Sequence, residues 1–147
     1  MNETKVQENA YWLLTQAAIR TRHDFIRLAE RNYGLTGPQM LTLCLLDPAA
    51  PAAMNTLSCQ LSCDASNVTG IADRLVAQGY IIRQDSPADR RVKMLALTPK
   101  GIKLREKLLV DLEGMTPESF ANLSPAELEQ LQALLLKALR PTEASGL

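Results

Sequence analysis

At 147 residues, 46% hydrophobic and 22% charged, the chain holds one domain's worth of sequence with enough apolar material for a core. Aromatics are only 4%, so that core is expected from helix-forming aliphatics, giving a mainly α fold. One histidine, His23, and three cysteines, Cys44, Cys59 and Cys63, without a C-x-x-C pair, argue against a histidine-based metal site and a disulfide framework.

No metal and no cofactor are therefore expected, and a reducing, cytoplasmic compartment is. The opening Met1-Asn2-Glu3-Thr4-Lys5 lacks the order of a signal peptide, and the longest uncharged run, Pro48 to Cys63, contains prolines. Neither export nor a membrane partner is implied. The formal net charge of zero hides a segregation: residues 65–105 carry eight basic and three acidic side chains, whereas residues 106–147 carry three and seven. The basic middle third is an electrostatic footprint for phosphate.

From about Thr4 to Asn32, apolar residues recur at spacings of three and four with no proline or glycine, which predicts one long amphipathic helix. Tyr33-Gly34 ends it. Thr36 and Gln39 then form a capping-box pattern that opens a second helix to about Leu46, and prolines make 47–53 a loop. Met54 to Ser62 sets Leu57 and Leu61 one turn apart. Asp64 is the expected N-cap, through its carboxylate, of a helix with Val68, Ile71, Ala72, Leu75 and Val76 on its inner stripe, closed by a left-handed Gly79.

Beyond Gly79 the period changes. Tyr80-Ile-Ile-Arg83 and Val92 to Leu97 flank a turn around Asp85-Ser-Pro-Ala-Asp89, a two-stranded hairpin. Thr98-Pro99 opens a helix bearing Ile102, Leu108, Leu109, Leu112 and Met115; Ser124-Pro-Ala-Glu127 opens another bearing Leu128, Leu131, Leu135, Leu136 and Leu139. The tail from Pro141 is expected to fray. No glycine-rich phosphate loop or nucleophile elbow is present, so an enzyme finds no support.

Helix, turn, helix and hairpin in this order make a winged helix-turn-helix. Leu57-Ser-Cys-Gln-Leu61, Ser66-Asn-Val-Thr69, Asp73-Arg-Leu75, Gly79-Tyr-Ile-Ile-Arg83, Asp89-Arg-Arg91 and Leu97-Thr-Pro-Lys-Gly101 resemble the MarR family of bacterial transcriptional regulators, over roughly Met54 to Gly101. The resemblance implies a single domain over 1–147, with a DNA-binding region at about 36–98 and dimerisation helices at about 1–35 and 99–141. It implies a homodimer on a double-stranded, pseudo-palindromic operator, and the expected role is that of a repressor released by a small effector, an aromatic one being a candidate.

Ser66, Asn67, Thr69, Gly70, Asp73 and Arg74 point away from the inner stripe, and Asn67 suits adenine because its amide both donates and accepts. Gly70 in mid-helix is explained either by close approach to DNA or by packing. In the wing, the resemblance makes Arg91 the minor-groove arginine and Asp89 a carboxylate bracing Arg91 or another wing-base arginine; Arg90, Arg83 and Lys93 are phosphate candidates. Trp12, Arg20, His23, Met40 and Cys44 are the candidates for an effector crevice. An alternative is a redox sensor using Cys59 or Cys63, which at i and i+4 on a helix would share a face. The leucine stripes of the terminal helices exceed what a small winged domain can cover, which independently suggests a partner chain.

Overall fold

The computed structural model describes residues 9–61 and 63–140. The chain forms two compact units, Met1–Met115 and Thr116–Leu147.

In the first unit, helix α1 spans Ala10–Tyr33. It starts later than the periodicity predicts, because Asn9 supplies a side-chain acceptor to the otherwise unpaired amides of Tyr11 (2.9 Å) and Trp12 (3.4 Å); residues 1–8 lie outside the described part. Gly34 ends α1 in the left-handed conformation (φ 62°), with its own amide bonded to the Glu30 carbonyl and that of Leu35 to Ala29. Helix α2, Gly37–Leu45, begins with the expected reciprocal box: Thr36 N–H donates to Gln39 Oε1 and Gln39 N–H to Thr36 Oγ1.

Helices α3 (Met54–Leu61) and α4 (Ala65–Ala77) form the helix-turn-helix. Asp64 has N-cap backbone geometry, but its carboxylate makes no capping bond. Its carbonyl instead accepts from the amides of Asn67 and Val68, which closes the first turn and leaves the exposed carboxylate to water. Val68, Ala72 and Leu75 are buried and Ile71 partly so, while Val76, at the stripe's edge, stays 38% exposed.

The wing has one strand more than predicted. Strands β1 (Ala52–Ala53), β2 (Ile81–Asp85) and β3 (Lys93–Leu97) form an antiparallel sheet in the order β1-β3-β2, with Ala52 opposite Leu95, Arg83 opposite Leu95 and Asp85 opposite Lys93. The end of the expected proline loop therefore covers the open edge of β3, whose backbone groups a bare hairpin would leave unpaired. Helix α5, Pro99–Gly114, follows, capped by Thr98 Oγ1 on the Gly101 amide (3.0 Å).

One core unites these pieces. Leu35, Leu43, Leu46, Leu57, Leu75, Ile81, Leu95 and Leu108 are each at most 1% exposed, so α2 to α5 and the sheet share a single apolar centre. Of α1, by contrast, only Ala29 is fully buried.

In the second unit a short 3-10 turn, Glu118–Phe120, precedes α6, Pro125–Ala138. Ser124 and Glu127 form the predicted capping box, and the Ser124 backbone and hydroxyl bonds hold the Glu127 carboxyl below its ordinary pKa. No residue of α6 is buried. The predicted fraying tail from Pro141 lies outside the described residues. Among these, no helix is long and apolar enough to cross a membrane.

Candidate nucleic-acid interface

With Val68, Ala72 and Leu75 turned into the core, helical geometry sends Ser66, Asn67, Thr69, Gly70, Asp73 and Arg74 to the other side of α4, and all six are exposed. Ser66, Asn67 and Arg74 make no side-chain hydrogen bond among the described residues. The Thr69 hydroxyl turns back to donate to the Ala65 carbonyl at 3.0 Å. A Cβ at Gly70 would meet nothing within 4 Å, which removes packing as the reason for this glycine. The face is polar, open and free of bulk at its centre.

The wing loop is folded by its own main chain. Ser86 N–H donates to the Val92 carbonyl and Val92 N–H to the Asp89 carbonyl, each at 2.9 Å. Asp89 does brace Arg91, but not by the expected ion pair: Asp89 Oδ1 accepts from the Arg91 backbone amide at 2.9 Å. A carboxylate two residues back reaches that amide in an Asx turn, so it fixes where Arg91 leaves the chain without consuming its charge. Arg90 and Arg91 are exposed, and neither guanidinium has an ion-pair partner among the described residues.

Two phosphate candidates are otherwise engaged. Lys93 pairs with Asp85, its cross-strand neighbour. Arg83 donates from Nη1 to Asp73 Oδ1 (2.5 Å) and from Nη2 to the Thr69 carbonyl (3.1 Å), so it joins wing to helix. Sequence reading missed this contact, although a signal existed: a lone acid on the outward face of a helix in a basic block calls for a cation nearby.

The Leu97-Thr-Pro-Lys-Gly101 segment locks the hairpin's foot. Thr98 Oγ1 donates to the Gly79 carbonyl (2.6 Å), and Thr98 N–H to that of Tyr80 (3.0 Å). Lys100 Nζ lies 4.6 Å from the Tyr80 ring centroid and donates to the Gln78 carbonyl. A Cβ at residue 101 would fall 1.9 Å from the Tyr80 carbonyl oxygen, so only glycine allows α5 to start here. The turn after α4 and the start of α5 are thus one rigid joint.

The effector candidates do not converge within one chain. Met40 is 3% exposed and belongs to the core, whereas Trp12, Arg20 and His23 are exposed along α1. At roughly 1.5 Å per residue, Trp12 and His23 lie about 16 Å apart along the axis. Cys44 is half-buried, and burial raises its thiol pKa against the opposing charge of Arg105. An open pocket of about 330 Å³ lies elsewhere, lined by Tyr33, Glu106, Lys107, Val110 and Asp111. There Tyr33 donates to Asp111 (2.6 Å), and burial first, then that bond and the carboxylate's charge, push its pKa up to about 12.

The cysteine pair is also rearranged. Cys59 is exposed on α3, but that helix ends at Leu61, and Cys63 sits in the following turn with its carbonyl accepting from the Ser58 hydroxyl at 2.6 Å. The two do not share a helical face, because the turn intervenes.

Comparison with known proteins agrees with this geometry. Residues 35–93 match the family model described as "MarR family". The chain is 33% identical over 132 residues to the organic hydroperoxide resistance transcriptional regulator of Bacillus subtilis, covering 90% of this chain and 88% of that one. A solved structure of Bordetella bronchiseptica BpsR superposes with a TM-score of 0.71 at 28% identity, covering 92% of this chain and 96% of the other. A MarR variant from Escherichia coli, solved with operator DNA, superposes with a TM-score of 0.67 at 27% identity, covering 86% and 91%. An exposed polar helix, a wing with unpaired arginines and these likenesses lead to one conclusion: the chain belongs to the MarR family, DNA-binding winged-helix transcription regulators and not enzymes.

Proposed function

We propose that the chain acts as a homodimeric repressor in the cytoplasm, which binds a pseudo-palindromic operator and leaves it when a small aromatic molecule binds. The observation that carries this is the pairing of an open polar face on α4 with two arginines at the wing tip, Arg90 and Arg91, that have no ion-pair partner among the described residues. In this reading Asn67 and Arg74 read base edges in the major groove, Ser66 and Thr69 touch bases or phosphate, and Gly70 lets the helix approach closely. Arg91 enters the minor groove, its main chain held by Asp89, and Arg90 meets phosphate. The operator complex of the MarR variant supports the DNA part by likeness.

A homodimer fits the apolar side chains left in solvent. Tyr11, Trp12, Leu13, Leu14 and Ile19 of α1 are each at least 45% exposed, and Leu134, Leu136 and Leu139 at the end of the chain at least 56%. Burying such stripes against a second copy removes them from water, and a two-fold assembly presents two α4 helices to two half-sites. It also accounts for the scattered effector candidates, since Trp12, Arg20 and His23 of one copy can face the other. The 6-hydroxynicotinic acid that regulates DNA binding by BpsR is an aromatic acid, which supports that effector class. Domain roles follow: about 1–35 and 99–141 dimerise, and about 36–98 bind DNA.

The test is binding to a duplex selected from a random-sequence library by the wild-type protein. Affinity falls steeply with salt, and Arg91→Ala weakens it while the dimer persists in sedimentation. Binding that ignores salt, or an Arg91→Ala variant that binds as wild type, overturns the reading. Exposed Cys59 and the likeness to a hydroperoxide-resistance regulator favour a second reading, oxidant release through Cys59 or Cys63. Peroxide then releases the selected duplex from wild type but not from Cys59→Ser or Cys63→Ser.

A further inference from the structure

Asp73 lies on the outward face of α4, one helical turn from Thr69 and three residues from Gly70, and is exposed. A bare carboxylate there would repel a phosphate backbone. Arg83, at the middle of β2, reaches across to it with one nitrogen and to the Thr69 carbonyl with the other, at 2.5 and 3.1 Å. The planar guanidinium has its donors in a fixed fork, so two acceptors on one helix set a direction as well as a distance between strand and helix. The side chains of Arg83 and Asp73 remain 33% and 57% exposed, and such solvated pairs contribute little to stability. Their value must lie in orientation and charge.

The rest of the wing sharpens this. Lys93 is paired within the hairpin itself, and Arg90 and Arg91 have no ion-pair partner among the described residues. The hairpin's foot is fixed to the start of α5 through Thr98 and Gly101, but that joint lies at the opposite end of β2 and β3 from the wing tip. Among the described residues, Arg83 is the side chain that hydrogen-bonds the middle of the hairpin to the face of α4.

We propose that Arg83 is a positioning residue for DNA recognition: its fork to Asp73 and Thr69 holds the wing at one angle to α4 and cancels the Asp73 charge, and Arg83 itself does not contact phosphate. This rests on the DNA-binding reading above. It names a specificity determinant that acts by geometry, so that the helix and the wing tip meet the duplex in one register. A phosphate-binding arginine would instead add a counterion-release contribution to every duplex, whatever its sequence.

The experiment compares wild type, Arg83→Lys, Arg91→Ala and the charge-balanced double variant Arg83→Met/Asp73→Asn. Each binds the library-selected duplex and a scrambled duplex over a range of salt, and circular dichroism confirms the fold. The double variant is expected to lose roughly tenfold on the selected duplex, to bind the scrambled one unchanged, and to keep the wild-type slope of log affinity against log salt. Arg83→Lys recovers part of the loss, since an ammonium can still pair with Asp73. Arg91→Ala, which removes one cation from each of the two copies, flattens the slope by about 1.8.

A double variant whose slope flattens like that of Arg91→Ala shows Arg83 on phosphate and overturns the proposal alone, as does one that binds both duplexes as wild type. Should the double variant misfold, Arg83→Gln/Asp73→Asn, equally charge-balanced, carries the same comparison of slopes. In the free protein, nitrogen NMR supplies a readout independent of DNA: slowed rotation of the Arg83 guanidinium, released by Asp73→Asn. Freely rotating Arg83 in wild type overturns the clamp and leaves the DNA reading standing. Wild-type protein that binds no duplex at low salt overturns the DNA reading and, with it, the role given to Arg83.

Discussion

The winged region and the first half of α1 are built from similar residues and end in opposite states. Between Leu35 and Leu108 the aliphatics close on one another, and Leu57, Leu75 and Leu95 have no exposed surface. In α1, Leu13, Leu14 and Ile19 are about half exposed, and Trp12 nearly so. Composition alone does not separate the two regions; the number of neighbouring elements does. Helix α4 meets α2, α3 and β2, whereas the start of α1 has no buried residue before Ala29. The winged region buries its own apolar side chains, and the arm formed by the start of α1 leaves its own in solvent. The two outward faces differ in the same way: α4 offers polar groups suited to a nucleic acid, the arm offers apolar ones suited to a protein.

The largest expected break of this contrast is in the core. Leu75→Ala should cost about 3 kcal/mol in denaturant unfolding, because a buried leucine leaves a cavity its neighbours cannot fill. Leu14→Ala in the arm, in protein diluted below its association range, should change unfolding by no more than about 0.5 kcal/mol. Equal costs at the two positions would erase the distinction. Next comes the joint: Gly101→Ala drives a Cβ against the Tyr80 carbonyl and should cost about 2 kcal/mol, read as a lower melting temperature.

The arm is probed by charge. Leu14→Glu should raise the dimer dissociation constant by roughly tenfold or more in analytical ultracentrifugation and leave monomer unfolding near wild type. The smallest effect concerns α6. The Glu127 carboxyl has a folded pKa below its ordinary 4.5, so its help to the helix is fully present above that value and is lost as pH falls through the lower folded value. Helicity monitored in acid should therefore drop at lower pH in wild type than in Ser124→Ala, which removes the side-chain bond.

These contrasts also explain what could be read from the sequence. The helix starts at Thr36, Thr98 and Ser124 were legible because capping is local: the acceptor and its amide lie three residues apart. The hairpin and the inner stripe of α4 were legible from period. Strand β1 was not, since Ala52 and Ala53 carry no strand preference and owe their state to pairing with Met94 and Leu95, some forty residues away in sequence. Arg83 read as a phosphate ligand for the same reason: its partners, Asp73 and Thr69, adjoin it only once β2 has docked on α4. Met40 read as a pocket residue because periodicity cannot distinguish the wall of a crevice from the core, and here it is core. Of the candidate interface, the outward residues of α4 and the exposed Arg90 and Arg91 were visible beforehand; which wing charges are already paired was not.

The proposed recognition depends on two copies of α4 presented together to a duplex. Selecting bound sequences from a random duplex library and fitting the enriched sites tests this most directly. It predicts an inverted repeat whose half-site centres lie about 10 base pairs apart, occupied by two chains. Enrichment of a single unrepeated half-site, or of no sequence at low salt, would contradict it.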